Sequence, residues 1–242
     1  MNKKTVFGPI HSRRLGRSLG INLLPFKTCS LDCVYCECGA TTNLTAARQE
    51  FVPLEHVCRE LDQVFDSGTE FDYITFSGLG EPTLYSRIGE IIRYVKKRRP
   101  EAKICLLTNA TLLDIAGDEL DQLDLIVPSL DGSSEEEFRT VNRPAPGLTL
   151  EKLVADIADF RKKQPQVTMW LEVFIVPGVN DSDASVERFC RRIARIAPDK
   201  VQINSLDRKG AVDWIRVPSA ERLREIRSAF ERVCPAEIIV HS

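Results

Sequence analysis

The 242-residue chain predicts an α/β fold, a single domain that forms a partial (β/α)6 TIM-like barrel. The first observation is that apolar runs of strand length alternate with amphipathic helical patterns from residue 19 to residue 241. The second is that no repeat, low-complexity segment or Pro/Ser-rich linker divides a chain long enough for one barrel-sized core. Six βαβ units with right-handed crossovers curl into most of a barrel. An open, doubly wound sheet is the alternative that periodicity alone leaves open.

The first half of the chain supplies the first three predicted strands of the sheet. LGINLLP (19–25), FDYITFSG (71–78) and AKICLLTN (102–109) are apolar runs of strand length. A helix is predicted over 53–65, because apolar residues recur there three and four positions apart. A second helix is predicted over 88–97, and a short one around 118–122.

The second half repeats the alternation. DLIVPSLD (124–131), VTMWLEVFIVPG (167–178) and KVQINSLD (200–207) predict strands, and EIIVH (237–241) predicts one more edge strand. The helical patterns that follow or separate them cover 150–163, 184–196 and 220–233. We therefore expect a core at about residues 18–210, with residues 1–17 and 211–242 as extensions packed on it.

Composition and charge exclude several classes of protein. Hydrophobic residues make up 43% and charged residues 28%, which is ordinary for a soluble globular protein. The formal net charge of -2 gives no global positive field to recruit nucleic acid. The start of the chain lacks a signal-peptide core, and nowhere do 18 apolar residues follow one another. We expect a cytoplasmic protein with no membrane partner, where clustered cysteines serve as metal ligands or redox groups rather than as disulfides.

Half of the eight cysteines lie in the segment CSLDCVYCEC, residues 29–38. Cys29, Cys33 and Cys36 have the spacing C-x3-C-x2-C, and three thiolates can bind three irons of a [4Fe–4S] cluster, leaving one iron open. Two alternatives use Cys38 as a fourth thiolate: a structural zinc site and a closed electron-transfer cluster. The one-residue spacing from Cys36 to Cys38 counts against tetrahedral zinc.

Polar residues follow the predicted strands at their carboxyl ends, where parallel α/β folds carry their chemistry. These segments are SGLGEP (77–82), TNA (108–110), SLDG (129–132), PGVND (177–181) and NSLDR (204–208). Because the carboxyl ends of parallel strands meet at one face, we expect these residues to converge there with the cysteine segment.

The motifs in this order resemble the radical S-adenosylmethionine (radical SAM) superfamily. Tyr35 precedes the last cysteine of the motif, and SGLGEP is similar to the superfamily's Gly-Gly-Glu-Pro-type motif, although Leu79 separates the glycines here. VFIVPGVND and VQINSLDR occupy the positions of its fifth and sixth strands. FGPIHSRRLGRSLGIN and ITFSGLGEPTL look most like the group related to wyosine-forming tRNA synthases. Those tRNA enzymes carry further N-terminal cysteines for a second cluster, and no cysteine precedes Cys29 here.

The resemblance implies a reduced [4Fe–4S] cluster, held by the three cysteines, that cleaves S-adenosylmethionine (SAM). The products are methionine and a 5′-deoxyadenosyl radical, which abstracts hydrogen from a substrate. The resemblance also implies an electron donor of the flavodoxin or ferredoxin type. The alternative function is a non-catalytic electron-transfer or zinc-binding protein with a closed four-cysteine site.

Candidate SAM-binding residues lie at the predicted strand ends. Gly78 and Gly80 lack a Cβ and would let the backbone approach the methionine moiety, and Glu81 would accept a hydrogen bond from its ammonium group. Short polar side chains suit the ribose and carboxylate, and an apolar residue suits adenine. The remaining candidates are Thr108, Asn109, Ser129, Asp131, Val176 and Asn204. Several of these residue types are also ordinary turn formers.

The substrate is not identified by the sequence. An RNA base, a small anionic metabolite and a protein side chain are the three options. Arginine binds phosphate or carboxylate and an aromatic ring stacks on a base, so we expect contacts from Arg13, Arg14, Arg143, Arg208 and Trp214. The alternative for each is a solvated loop residue.

Overall fold

The computed structural model describes residues 4–241, where ten strands and seven α-helices form the regular structure. The first three and the last residue of the predicted terminal extensions lie outside the described residues. The strands are β1 (Val6–Ser12), β2 (Gly16–Ile21), β3 (Thr28–Cys29), β4 (Asn43–Leu44), β5 (Tyr73–Phe76), β6 (Ile104–Thr108), β7 (Leu125–Pro128), β8 (Thr168–Phe174), β9 (Lys200–Asn204) and β10 (Glu237–His241). The helices are α1 (Leu54–Asp66), α2 (Ile88–Arg98), α3 (Leu113–Ala116), α4 (Glu135–Val141), α5 (Leu150–Lys163), α6 (Asp183–Ile196) and α7 (Ala220–Glu231).

Eight of the strands form one sheet in the order β1-β2-β5-β6-β7-β8-β9-β10. From β2 to β10 every neighbouring pair is parallel, and β1 pairs antiparallel with β2 at one edge. The strands β2 and β5–β9, with their crossover helices, are the six units of the predicted partial barrel. The predicted fold class is confirmed, and β10 adds a seventh parallel strand over the predicted residues.

Side chains alternate between the two faces of the sheet, as the strand period of two requires. Ile74 and Leu106 face the helices and belong to the largest buried apolar cluster. Cys105 and Val127 point to the other face, where a smaller cluster includes Leu15 from the β1–β2 turn. Among the described residues, no helix has both the length and the apolar composition that a membrane span needs.

The first strand was predicted over 19–25, but β2 covers Gly16–Ile21. The apolar run misled the prediction because Leu23 and Leu24 are buried in the loop after the strand rather than in the sheet. The strand β1 was not predicted at all. Its sequence VFGPIHS contains Gly8 and Pro9, which interrupt the alternation of a strand, and the pairing with β2 shifts register there.

Two helices also differ from the sequence-based expectations. The short helix expected around 118–122 is α3 at Leu113–Ala116, followed by a 3-10 turn. Leu113 and Ala116 are buried, whereas Leu120 is the one buried residue of the predicted span. No helix was predicted between the strand ending at residue 131 and the helix beginning at residue 150, yet α4 lies there. The hydroxyl of Ser134 accepts a hydrogen bond from the Glu137 backbone and caps this helix.

The β1–β2 turn reaches across the sheet to strands that are distant in the strand order. The Arg14 guanidinium contacts the Glu172 carboxylate of β8 and donates a 2.7 Å hydrogen bond to Gln202 of β9. Three strands separate β2 from β8, so this contact requires the sheet to curl round as a barrel does. The neighbouring Arg13 pairs with Asp207 at 2.7 Å on the surface.

We predict that Arg14→Met destabilises the fold more than Arg13→Met. The Arg14 and Glu172 side chains are 28% and 19% exposed, so the lost partner leaves a largely buried carboxylate and costs about 2 kcal/mol of unfolding free energy. Arg13 and Asp207 are 72% and 47% exposed, and their pair contributes less than about 1 kcal/mol. Urea denaturation of the two variants measures both values. Equal losses would contradict the closing role of Arg14.

Candidate functional site

The cysteine segment is held in place by the chain that follows α4. The backbone of Asp32 donates to Asn142, and that of Val34 donates to Val141, each at 2.9 Å. The backbone of Ala145 donates in turn to Ser30 at 2.9 Å. Residues 30–34 therefore run antiparallel to residues 141–145, and this pairing fixes the loop between the first and last cysteines of the motif.

A cavity of about 160 Å³ lies between the cysteine segment and the carboxyl ends of β5 and β6. Its lining includes most of the residues that the sequence predicted, namely Cys29, Cys33, Cys36, Gly78, Gly80, Glu81, Thr108 and Asn109. The other lining residues are Lys27, Tyr35, Cys38 and Leu107. A larger cavity of about 410 Å³ beside the start of α1 contains none of the predicted site residues.

Polar hydrogens surround the three thiols. The side-chain amide of Asn109 donates to the Cys29 sulfur at 3.5 Å, and that of Asn142 donates to the Cys33 sulfur at 3.3 Å. The buried Lys27 ammonium lies beside Cys36 and donates to the Thr41 hydroxyl at 3.1 Å. Burial opposes its charge, but the nearby cysteines outweigh burial and raise the pKa of Lys27.

The three thiols differ in acidity. Burial, assisted by Glu81, raises the pKa of Cys29 to about 11, and burial raises the pKa of Cys33 well above its ordinary value. A hydrogen bond from Cys38, together with the charge of Lys27, overcomes burial and lowers the pKa of Cys36 to about 5. Metal ligation needs thiolates, so loading this site with metal releases protons, chiefly from Cys29 and Cys33.

The donor set fits an iron–sulfur cluster better than a single metal ion. Within residues 4–241, no three His, Cys, Asp or Glu side chains are arranged to hold one ion. A [4Fe–4S] cluster does not need that arrangement, because each thiolate binds a different iron. Three thiols from one short segment, with N–H donors beside their sulfurs, match the donors such a cluster takes.

The SGLGEP segment packs directly on the chain that leads into Cys29. A Cβ on Gly80 would lie 1.7 Å from the Thr28 carbonyl oxygen, and the Glu81 backbone donates to that oxygen at 3.1 Å. Gly78 has a φ of +129°, and a Cβ there would lie 2.7 Å from the Asn22 side chain. Packing against the protein therefore requires both glycines, whether or not a ligand also approaches them.

Glu81 is a buried anchor for the strand ends. One carboxylate oxygen accepts hydrogen bonds from the Thr83 backbone and hydroxyl and from the Thr108 hydroxyl, at 2.6–3.1 Å. The other accepts from the Asn109 backbone at 2.7 Å. Burial raises the pKa of Glu81 although these hydrogen bonds favour its charged form. These four hydrogen bonds to Glu81 all come from protein groups, whereas the sequence-based hypothesis expected the ammonium group of SAM to donate to it.

Asp131 is also a buried anchor. Its carboxylate accepts hydrogen bonds from the Tyr35 hydroxyl at 2.5 Å, the Asn142 amide at 2.8 Å and the Phe174 backbone at 3.0 Å. Burial raises the pKa of Asp131 to about 6. The Tyr35 ring stacks on Phe174 with centroids 3.9 Å apart. Asp131 therefore connects the end of β7, the end of β8 and the cysteine segment, and faces protein groups rather than the cavity.

Three further predicted residues do not line this cavity. Ser129 forms a β-bridge with Glu172, and the Asn204 amide donates to the Glu172 carboxylate at 2.9 Å. Val176 is fully buried, and its backbone donates to the Asn180 side chain at 2.7 Å. Sequence reasoning missed Lys27 and Asn142. Neither belongs to a spacing pattern, and Asn142 follows the helix α4, which was not predicted.

The residues predicted to contact substrate all have exposed positions except Arg14. Arg143 lies 3.7 Å from Asp32, and Arg208 lies 3.3 Å from Glu37, so each pairs with an acidic residue of the cysteine segment. Trp214 is 44% exposed on the loop 207–218. That loop packs on the cysteine segment, where the Val212 backbone donates to Val34 at 3.3 Å. Arg14 points instead to Glu172 and Gln202, which makes it a structural residue of the barrel.

Comparison with known proteins gives one family and several relatives. The model of the "Radical SAM superfamily" matches residues 23–190. The whole of this chain aligns with a protein named GTPase Obg from Brachyspira hyodysenteriae at 33% identity, and the alignment covers only 36% of that protein. It is 38% identical to the UPF0026 protein slr1464 from Synechocystis sp., with 82% of this chain and 74% of that protein covered.

Solved structures share the fold at low identity. A radical SAM methyltransferase from Sphaerobacter thermophilus matches 93% of this chain and 66% of its own, with a TM-score of 0.67 and 20% identity. TYW1 with a lysine-pyruvate adduct matches 93% of this chain and 76% of its own, with a TM-score of 0.68 and 14% identity. SuiB from Streptococcus suis bound to S-adenosylmethionine matches 93% of this chain and 51% of its own, with a TM-score of 0.66 and 16% identity.

We predict that Gly80→Ala disrupts the site while Gly117→Ala does not. The new Cβ at residue 80 would overlap a backbone oxygen, so the SGLGEP segment must shift, at a cost of about 2 kcal/mol in unfolding free energy. The nearest atom to a Cβ on Gly117 lies 3.4 Å away, and its backbone is helical, so a change within about 0.5 kcal/mol is expected. Urea denaturation provides the test, and an unchanged stability of Gly80→Ala would refute the packing argument.

Proposed function

This chain belongs to the radical SAM superfamily, and we propose that it cleaves SAM reductively at a [4Fe–4S] cluster held by Cys29, Cys33 and Cys36. Enzymes of the superfamily use this cluster and SAM, which confirms the cofactor prediction. The observation that carries the proposal is the cavity that brings the three thiols together with the ends of β5 and β6. The alternative, a closed four-cysteine electron-transfer or zinc protein, is not favoured.

The residues of this chain would bind and orient the reactants. When bound, the reduced cluster would supply one electron to SAM, whose S–C5′ bond would break to give methionine and the 5′-deoxyadenosyl radical that takes hydrogen from the substrate. We assign SAM to the cavity beside Gly78 and Gly80, with Thr108 and Asn109 at its rim. Glu81 would hold that rim in position through its four hydrogen bonds. The stacked rings of Tyr35 and Phe174 would keep water from the barrel side of the cluster.

The other candidate SAM contacts are Ser129, Asp131, Val176 and Asn204. They stand at the carboxyl ends of β7, β8 and β9, outside the lining of the cavity. We keep them as proposed contacts of the ribose and adenine, which would extend beyond the thiols along the same face. Asp131 would act mainly through Tyr35, to which it is hydrogen-bonded at 2.5 Å.

We propose the group related to wyosine-forming tRNA synthases as the subgroup. The support is the resemblance of ITFSGLGEPTL and FGPIHSRRLGRSLGIN to that group. The proposal rests on these motifs because several families share the fold at similarly low identity. The substrate remains one of three classes: an RNA base, a small anionic metabolite or a protein side chain. Arg208 and Trp214 on the loop over the cysteine segment are the residues we expect it to meet. The proposed electron donor is a flavodoxin or ferredoxin, and the proposed location is the cytoplasm.

We predict that SAM cleavage depends on three cysteines and not on the others. Anaerobically reconstituted protein should contain about four irons per chain and form 5′-deoxyadenosine when reduced with SAM present. Cys33→Ala should lose the cluster and the product, because an open position at a second iron breaks the ligand set. The matched control is Cys58→Ala on α1, outside the lining of the cavity, which should retain both.

Cys38→Ala separates the open cluster from the closed site. Its thiol lies at the cavity 3.7 Å from the Gly78 carbonyl, so it is close enough to be mistaken for a ligand. With three ligands proposed, the variant should keep four irons and still cleave SAM. Loss of metal in Cys38→Ala, or bound zinc in place of iron, would show that the site is a closed four-thiolate one.

A further inference from the structure

We propose that the side-chain amides of Asn109 and Asn142 set the reduction potential of the cluster by donating to two of its thiolates. The inference rests on the proposed function, since it concerns the same three cysteines. Asn109 lies at the carboxyl end of β6 and donates to Cys29 at 3.5 Å. Asn142 follows α4 and donates to Cys33 at 3.3 Å. Each amide therefore serves a different thiolate from a different part of the barrel.

The neighbours of Asn109 fix which way its amide points. The carbonyl oxygen of the side chain accepts hydrogen bonds from the Thr111 backbone at 3.1 Å and from the Thr111 hydroxyl at 2.8 Å. The nitrogen donates to the Ser30 hydroxyl at 2.9 Å as well as to Cys29. If the amide were rotated by half a turn, its N–H group would face the Thr111 backbone N–H, and two donors would be opposed. The observed orientation, with the nitrogen toward the Cys29 sulfur, is therefore the favourable one.

The Asn142 amide is fixed by a charge. Its nitrogen donates to the Asp131 carboxylate at 2.8 Å and to Cys33, and the residue is 2% exposed. A carboxylate can only accept, so the nitrogen and not the oxygen must face it. Asp131 is held in turn by the Tyr35 hydroxyl and the Phe174 backbone. The donor to Cys33 is thus held in place by a network of hydrogen bonds between protein groups.

The direction of the effect follows from charge. One-electron reduction adds a negative charge that the irons share with their sulfur ligands, and an N–H donor at a ligand sulfur stabilises the more negative state. The stabilisation is large in a buried site, where water does not compete. Both amides therefore raise the reduction potential and make the cluster easier to reduce. Cys36 has the Lys27 ammonium beside it, so all three thiolates have a positively polarised hydrogen nearby.

The test is a redox titration of the reconstituted cluster, followed by electron paramagnetic resonance. Asn109→Leu and Asn142→Leu keep the shape of the side chain and remove the donor. Each should lower the equilibrium constant for one-electron reduction about tenfold, which is about 59 mV for a one-electron couple. The matched control is Asn43→Leu on β4, whose amide donates to the Thr28 hydroxyl at 3.5 Å and, within residues 4–241, forms no hydrogen bond with a cysteine sulfur. The control should keep the wild-type potential.

Two outcomes of the redox titration would overturn the inference. One is an unchanged potential in Asn109→Leu and Asn142→Leu with four irons still bound; the other is an equal shift in the control. If Asn142→Leu cannot hold iron, Asn109→Leu decides, together with pulsed resonance of the wild-type and Asn109→Leu proteins in light and heavy water. That measurement should show one exchangeable proton coupling fewer in the variant, and an unchanged set would refute the inference. A wild-type protein without cluster or SAM cleavage would instead refute the proposed function.

Discussion

The pairing of residues 30–34 with residues 141–145 is the constraint on which the whole site depends. The cysteine segment has little regular structure of its own, since the two-residue strand β3 contributes only Cys29 to it. Its shape comes from backbone hydrogen bonds to the chain after α4, and from the Thr28 carbonyl that receives the Glu81 N–H. The cysteines are therefore held between the β5 and β7 sides of the sheet. The positions of the thiols are therefore fixed by elements that are distant from them in the sequence.

The curvature of the sheet supplies the second half of the arrangement. Arg14 reaches Glu172 only because the sheet curls, and the same curl brings the end of β8 over the cysteine segment, where Phe174 meets Tyr35. Buried carboxylates then connect the strand ends, Glu81 between β5 and β6 and Asp131 between β7 and β8. Buried charges of this kind are costly unless fully hydrogen-bonded, and both are. They specify one geometry for the face that carries the chemistry.

Much of this could be predicted from the sequence because the relevant signals are local. Apolar runs located the parallel strands, and the rule that chemistry lies at their carboxyl ends correctly predicted that SGLGEP and Thr108 meet the cysteines. The spacing of the cysteines needs only a loop. The strand β10 was found at its observed bounds because EIIVH contains three consecutive β-branched apolar residues, which favour a strand.

Contacts between distant residues could not be predicted in this way. Asn142 lies 109 positions from Cys33, and no periodicity relates the two. The protein partners of Glu81 and Asp131 could not be predicted for the same reason, since a carboxylate at a strand end looks the same in the sequence whether it faces a ligand or protein donors. The edge strand β1 was not predicted because Gly8 and Pro9 interrupt the alternation of apolar and polar residues that indicates a strand.

The measurement that tests the central claim most directly is Mössbauer spectroscopy of protein reconstituted with isotopically enriched iron, recorded with and without SAM. An open cluster held by three cysteines predicts that one iron in four changes its isomer shift when SAM is added, while the other three do not. If the isomer shifts of all four irons were the same with and without SAM, the cluster would be closed. That result would contradict an open iron beside the SGLGEP segment.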